Sequence, residues 1–197
     1  MPAGQRSLAS IQDINQIFKS RRKPTENMRK IKAYLANQFG FSETGRHLLD
    51  SLIKPRIEKM GIIILDPFLE CNKELDFKAI KEIKNHEEMA KYWADFSKKI
   101  TPINNKLMEN SDCLLAILDG GHAVDDGVAG EIGYYAGIKK GPIFALRSDL
   151  RCGENMAVTI NPQLLGYIIQ SRGKLIDSQN AVERWFSEIQ KWRESKK

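Results

Sequence analysis

Hydrophobic and polar positions follow two regimes along the chain. Before residue 30, Leu8, Ile11, Ile14, Ile17 and Phe18 recur at helical spacing and predict a helix over Leu8–Ser20. The polar stretch RRKPTEN follows, and its Pro24 stops that helix. From Ile31 onward, short apolar runs alternate with longer amphipathic stretches. The runs predict strands at Ile31–Ala36, Ile62–Leu65, Cys113–Leu118 and Pro142–Leu146, with a fifth beginning at Leu175. Helices are predicted at Glu43–Met60, Phe77–Ile83, His86–Glu109, Gly127–Lys139 and Asn180–Ser195. The third is expected to break around Thr101-Pro102, and the last to turn Val182, Trp185, Phe186, Ile189 and Trp192 inward.

Strand-helix alternation argues for a mostly parallel five-stranded sheet covered on both faces. The expected fold class is therefore α/β, a flavodoxin-like or Rossmann-like three-layer sandwich over residues 30–197. A helical arm over residues 1–29 precedes it. Such sheets bind ligands outside the carboxyl ends of their strands. That rule selects four segments: Ala36–Ser42, Asp66–Cys71, Asp119–Glu131 and Arg147–Asn155.

Composition narrows the class. Of 197 residues, 42% are hydrophobic and 28% charged, as in a soluble globular protein. The longest apolar runs, Gly61–Leu65 and Cys113–Leu118, are far shorter than the ~20 residues a bilayer requires. The first residues lack the apolar core and cleavage site of a secretory signal. Cys71, Cys113 and Cys152 are odd in number and widely spaced, so neither a disulfide framework nor a metal cluster is expected, and a reducing cytoplasm is. No histidine pair has metal spacing, no Gly-rich phosphate loop is present, and no cofactor is expected.

Charge is unevenly placed. Residues 1–32 carry eight bases against two acids, whereas the remaining 165 carry 23 of each. The net charge of +6 thus belongs to residues 1–32, and the rest of the chain is neutral. With Phe18 its one aromatic, the arm lacks stacking platforms and reads as a solvated tail or an oligomer-packing helix, not a nucleic-acid binder.

The most informative stretch is LDGGHAVDDGVAGEIGYYAGIKKGPIFALRSD, residues 118–149. A strand ends at Asp119, a Gly-Gly turn follows, and Asp125 or Asp126 can cap a helix. Gly130, Gly133 and Gly137 recur on one helix face, which would allow close approach to the sheet or to a substrate. Glu131 lies one turn inside the helix. Capping alone would account for the two aspartates, and a surface salt bridge for Glu131. Against that stand their position at a strand-to-helix switch and the three glycines, each costing a surface helix roughly 1 kcal/mol.

These residues resemble the nucleoside 2-deoxyribosyltransferase family. The pattern V-D-D-G-x-A-x-E-I-G-Y-x-x-G-x-x-K-G-P-x-x-x-L-R-S-D matches that family's D-x-G-x-x-x-E-x-G turn and helix. KAYLANQFGFSETGR is similar to its first strand and loop, with Tyr34, Ala36, Phe41, Ser42, Glu43 and Arg46 in place. The resemblance spans roughly residues 31–192. The family's Gly-Pro after the first strand is Asn37-Gln38 here.

The resemblance implies base exchange on a 2′-deoxynucleoside with retention, through a covalent deoxyribosyl-enzyme. Glu131 aligns with the nucleophile, Asp125 with the carboxylate near the base, and Tyr34 with the tyrosine that orients the nucleophile. Two adjacent carboxylates would raise one pKa, favouring an acid role for Asp125. Asn104 falls at the base-recognition position, where many members have Asp. Phe41, Asp119 and Gly127 fall in substrate-binding segments. Asn155 resembles the asparagine that reaches the sugar of a neighbouring subunit, implying a homodimer or higher oligomer. The implied partners are a deoxynucleoside and a free base, with no membrane. A nucleoside 5′-monophosphate N-glycosidase is the nearest alternative. Its relatives carry basic and hydroxyl groups in the first loop, where this chain offers Ser42 and no base before Arg46.

Overall fold

A computed structural model describes residues 30–151, 159–177 and 179–196. The helix expected over Leu8–Ser20 lies outside them, as do Cys152 and Asn155.

Five strands form one sheet: β1 (Ile31–Asn37), β2 (Ile62–Leu65), β3 (Cys113–Ile117), β4 (Ile143–Leu146) and β5 (Lys174–Ile176). All four pairings are parallel, in the order β2-β1-β3-β4-β5. This is the flavodoxin-like order, and its switch point lies between β1 and β3. The expected three-layer α/β fold is what the chain forms. β3 is buried at every position because helices cover both faces, which accounts for its unbroken CLLAI run.

One layer consists of α1 (Glu43–Leu48), α2 (Lys54–Lys59) and α8 (Ala181–Glu194). It packs Leu49, Ile53, Ile57, Trp185, Phe186 and Ile189 against Ala33, Leu35, Leu115 and Phe144. Between α1 and α2, Leu49–Ile53 form a π-helical turn. Pro55 lacks the N–H that would bond back to residue 51 and its ring crowds that carbonyl, and the wider turn relieves both problems.

The other layer holds α6 (Asp126–Ile138) and α7 (Pro162–Gln170). Val128, Ile132, Tyr135, Leu164 and Ile168 pack there on Tyr34, Ala36, Leu114 and Ala116. The α7 helix was not foreseen from periodicity. Its signal was Asn161-Pro162, where the Asn161 side chain accepts from Gln163 N at 2.9 Å and Pro162 fills the first turn.

Between β2 and β3 run α3 (Pro67–Cys71), α4 (Phe77–Glu82) and α5 (His86–Glu109). The expected break in α5 does not occur: the helix continues through Pro102. Thr101 Oγ1 donates to Ser97 O at 2.8 Å beside the proline, and burial of Met108 anchors the far end.

The glycine face of α6 does not make the close approach to the sheet that was one of its two expected uses. Val128, Ile132 and Tyr135 took the sheet side, and the glycines turn away from it. A Cβ at Gly130 or Gly137 would meet nothing within 4 Å, and one at Gly133 would only touch Tyr167 at 3.6 Å.

Candidate functional site

β1 is the strand at the centre of the candidate site. Its alternation turns Tyr34 and Ala36 toward α6 and Leu35 toward the opposite layer. Tyr34 is fully buried in mid-strand, paired with Leu65 of β2 and Leu114 of β3. Its hydroxyl reaches Glu131 Oε1 at 2.5 Å, joining β1 to the second turn of α6.

Two structural facts hold Glu131 there. Asp125 caps α6 by accepting from Val128 N at 3.0 Å, which fixes the helix start and hence the direction of the residue at 131. Val128 and Ile132, on either side, are buried against the sheet. Asp125 therefore does perform the capping that its sequence allows. Its Oδ2 has no protein partner among the described residues.

Burial pushes the Glu131 carboxyl up to about 7, the charge of Asp125 adds to the rise, and the Tyr34 hydrogen bond opposes it. The rise expected from paired carboxylates thus falls on Glu131, with burial as its main cause. Burial, together with the neighbouring Glu131 charge, holds the Tyr34 phenol well above its usual range. Tyr34 is a hydrogen-bond donor at any working pH, and Glu131 sits at the edge of ionisation.

The next wall is α3. Asp66 is buried and caps this helix, accepting from Phe68 N at 2.9 Å. Its other oxygen meets Lys54 Nζ at 2.6 Å. Cys71, at the far end of α3, donates to Asn104 Oδ1 on α5 at 3.1 Å. Burial and then the charges of Glu131, Glu70, Glu74 and Asp66 push the thiol up to about 11. Cys71, Asp66 and Asn104 thus join the surroundings of Tyr34 and Glu131.

The loop after β1 closes the third side. Asn37 is buried, donating to Leu35 O at 3.0 Å and accepting from Gly40 N at 3.2 Å. Phe68 lies so close over Gly40 that a Cβ there would come within 2.4 Å of the ring. Phe41 meets Phe68 edge to face, centroids 4.9 Å apart, and remains 75% exposed. Gln38 Nε2 reaches Asp119 O at 2.9 Å, bridging the ends of β1 and β3. Gly120 takes φ +118° against that glutamine, with no room for a side chain. The Asn37-Gln38 pair and the Gly-Gly turn are thereby parts of one junction.

Asp119 is committed to the frame. Its carboxylate accepts from Ser148 N at 2.6 Å, Asp149 N at 2.8 Å and the Ser148 hydroxyl. Gly127 is exposed at the start of α6, where a Cβ would come within 3.0 Å of Asp125 Oδ1.

Arg147, whose role sequence reasoning missed, is fully buried. It donates to Leu118 O at 2.5 Å, Gly121 O at 3.2 Å, His122 O at 3.1 Å and Arg151 O at 2.8 Å. One guanidinium thereby fastens the loop between β3 and α6. Its place in the L-R-S-D segment was the available signal. Among the described residues, no group of three or more His, Cys, Asp or Glu side chains could hold a metal.

A half-buried carboxylate at the switch point of a doubly wound sheet, held by a strand tyrosine, defines a class of small-molecule site. A family model for nucleoside 2-deoxyribosyltransferases matches residues 33–178. The chain belongs to the nucleoside 2-deoxyribosyltransferase family. Among solved structures it is similar to a 2-deoxyribosyltransferase from Leishmania mexicana, at 17% identity and a TM-score of 0.49. That match covers 80% of this chain and 97% of the other. No curated protein matches the chain. No helix among the described residues is long and apolar enough to cross a membrane.

Proposed function

We propose that this chain exchanges the bases of 2′-deoxynucleosides through a covalent deoxyribosyl–Glu131 ester. The observation that carries this reading is the 2.5 Å hydrogen bond from Tyr34 to Glu131. It leaves Glu131 Oε2 as the attacking atom while Oε1 is held. In the first step Oε2 forms a bond to C1′, the C1′–N bond breaks, and its electron pair leaves with the base. Asp125, at the start of the same helix, gives the departing nitrogen a proton. An incoming base then attacks C1′, the ester bond breaks, the carboxylate is restored, and the incoming base's proton returns to Asp125. A covalent intermediate divides one difficult displacement into two easier ones. Asn104 serves the base, and Phe41 and Gly127 border the substrate. Water in place of the second base would give slow hydrolysis.

The first loop favours unphosphorylated nucleosides over 5′-monophosphates. Ser42 Oγ accepts from Gly45 N at 3.0 Å, and Arg46 Nε donates to Gly40 O at 2.8 Å, so both groups serve the loop's own backbone.

Mass spectrometry of the intact protein after mixing with a deoxynucleoside tests the mechanism. A deoxyribosyl adduct mapped to Glu131, lost together with base exchange in Glu131→Ala, is the expected result. Near-normal exchange by that variant overturns it.

A further inference from the structure

An asparagine amide can offer a base either its carbonyl or its NH2 group, and rotation by 180° about the last torsion exchanges them. Asn104 therefore reads a base selectively only if something fixes that torsion. The residue that does so is Cys71: its S–H donates to Asn104 Oδ1 at 3.1 Å, from α3 to α5. Both partners are half-buried, and α3 packs directly on α5, so the contact joins two fixed elements. Asn104 Nδ2 has no protein partner among the described residues. It is also absent from the buried polar atoms that lack one, so it is open to a ligand.

We propose that Cys71 is a positioning residue for base selection: its thiol locks the Asn104 amide with NH2 outward, so the site prefers bases presenting a carbonyl oxygen, such as 6-oxopurines, over 6-aminopurines. This rests on the base-exchange reading above. The thiol is suited to the task because burial and nearby carboxylates keep it protonated and hence a donor. An exocyclic amino group brought to the outward NH2 sets donor against donor and leaves both unpaired, whereas a carbonyl pairs with it. Without the thiol, the amide can turn its carbonyl to an amino group at little cost, and the preference collapses.

The test is a competition between equimolar hypoxanthine and adenine as acceptors. The full chain, with 2′-deoxyguanosine as donor at low conversion, is assayed as wild type, Cys71→Ala and Cys71→Ser. Wild type is expected to form deoxyinosine over deoxyadenosine by about tenfold, the scale of one mismatched hydrogen bond. Cys71→Ala should bring the ratio near unity while total exchange persists, and Cys71→Ser, which keeps a donor, should restore it. A loss from altered packing alone would lower both products together and leave the ratio unmoved. Wild-type preference for adenine, or an unchanged ratio in Cys71→Ala, overturns the proposal. Absence of any exchange by wild type would instead overturn the base-exchange reading. Calorimetric binding of the two free bases to wild type and Cys71→Ala then gives the same ratio without turnover.

Discussion

Tyr34 and Glu131 stand 97 residues apart in the chain and 2.5 Å apart in the fold. One belongs to the first strand, inside the sheet between β2 and β3, and the other to the helix that follows the third strand. Their bond crosses from sheet to helix layer beside the switch point, so it positions a carboxylate against a rigid frame. It also moderates that carboxylate's pKa, which burial alone would carry higher. The consequences are measurable.

The proposed nucleophilic role requires Glu131 to be ionised, and burial pushes its carboxyl up to about 7. The kcat/KM for base exchange, which reports the free enzyme, should rise with pH through an apparent pKa near 7 on its acid side. Initial rates across pH 5–9 check this. A profile flat down to pH 5 would contradict the burial of the ionising group.

Tyr34→Phe removes the donor that lowers the Glu131 pKa. The acid limb should move to higher pH, and exchange at pH 7 should fall by about tenfold per unit of displacement. Activity should recover in part at pH 9. A loss equal at every pH would mean that Tyr34 acts by shape alone.

The same group affects stability. Its folded pKa is raised above the unfolded value of 4.5, so the folded state holds its proton more tightly. Its stabilising contribution is complete below about 4.5 and is lost as pH rises through about 7. Glu131→Gln should therefore gain stability relative to wild type at pH 8, by no more than about 3 kcal/mol, and little at pH 4.5. Urea midpoints at the two pH values supply the comparison.

Lys54 and Asp66 form an ion pair whose acid is almost fully buried, with only 4% of its side chain exposed. Lys54→Met leaves that charge uncompensated and should cost about 2–4 kcal/mol. Adding Asp66→Asn to it should recover much of the loss. Thermal or urea unfolding of the single and double variants decides.

Arg147→Met removes three hydrogen bonds to the loop that leads into α6 and a fourth to Arg151 O, just after β4. Stability should fall by about 3 kcal/mol or more, because the carbonyls at Leu118, Gly121, His122 and Arg151 lose a buried donor. Exchange by the protein that remains folded should fall by about a hundredfold, the effect of a carboxylate displaced by an ångström. Circular dichroism and rates on the same samples separate the two effects.

Local rules determined much of this molecule from sequence. The all-apolar CLLAI run could only be a strand covered on both faces, and the spacing of Trp185, Phe186 and Ile189 could only be a helix buried on one side. The segment from Asp125 to Glu131 was legible because a cap and the first turns of a helix lie within seven consecutive residues. What needed the tertiary structure was every relationship across the sheet. Parallel strand order is invisible to periodicity, so the meetings of Tyr34 with Glu131 and of Cys71 with Asn104 could not be computed from spacing. Gly120 had no derivable purpose until Gln38 lay against it, and Arg147 none until three distant carbonyls converged on it. Pro102 misled for the same reason. A local propensity costs a few kcal/mol at most, and packing against the rest of the chain outweighs it.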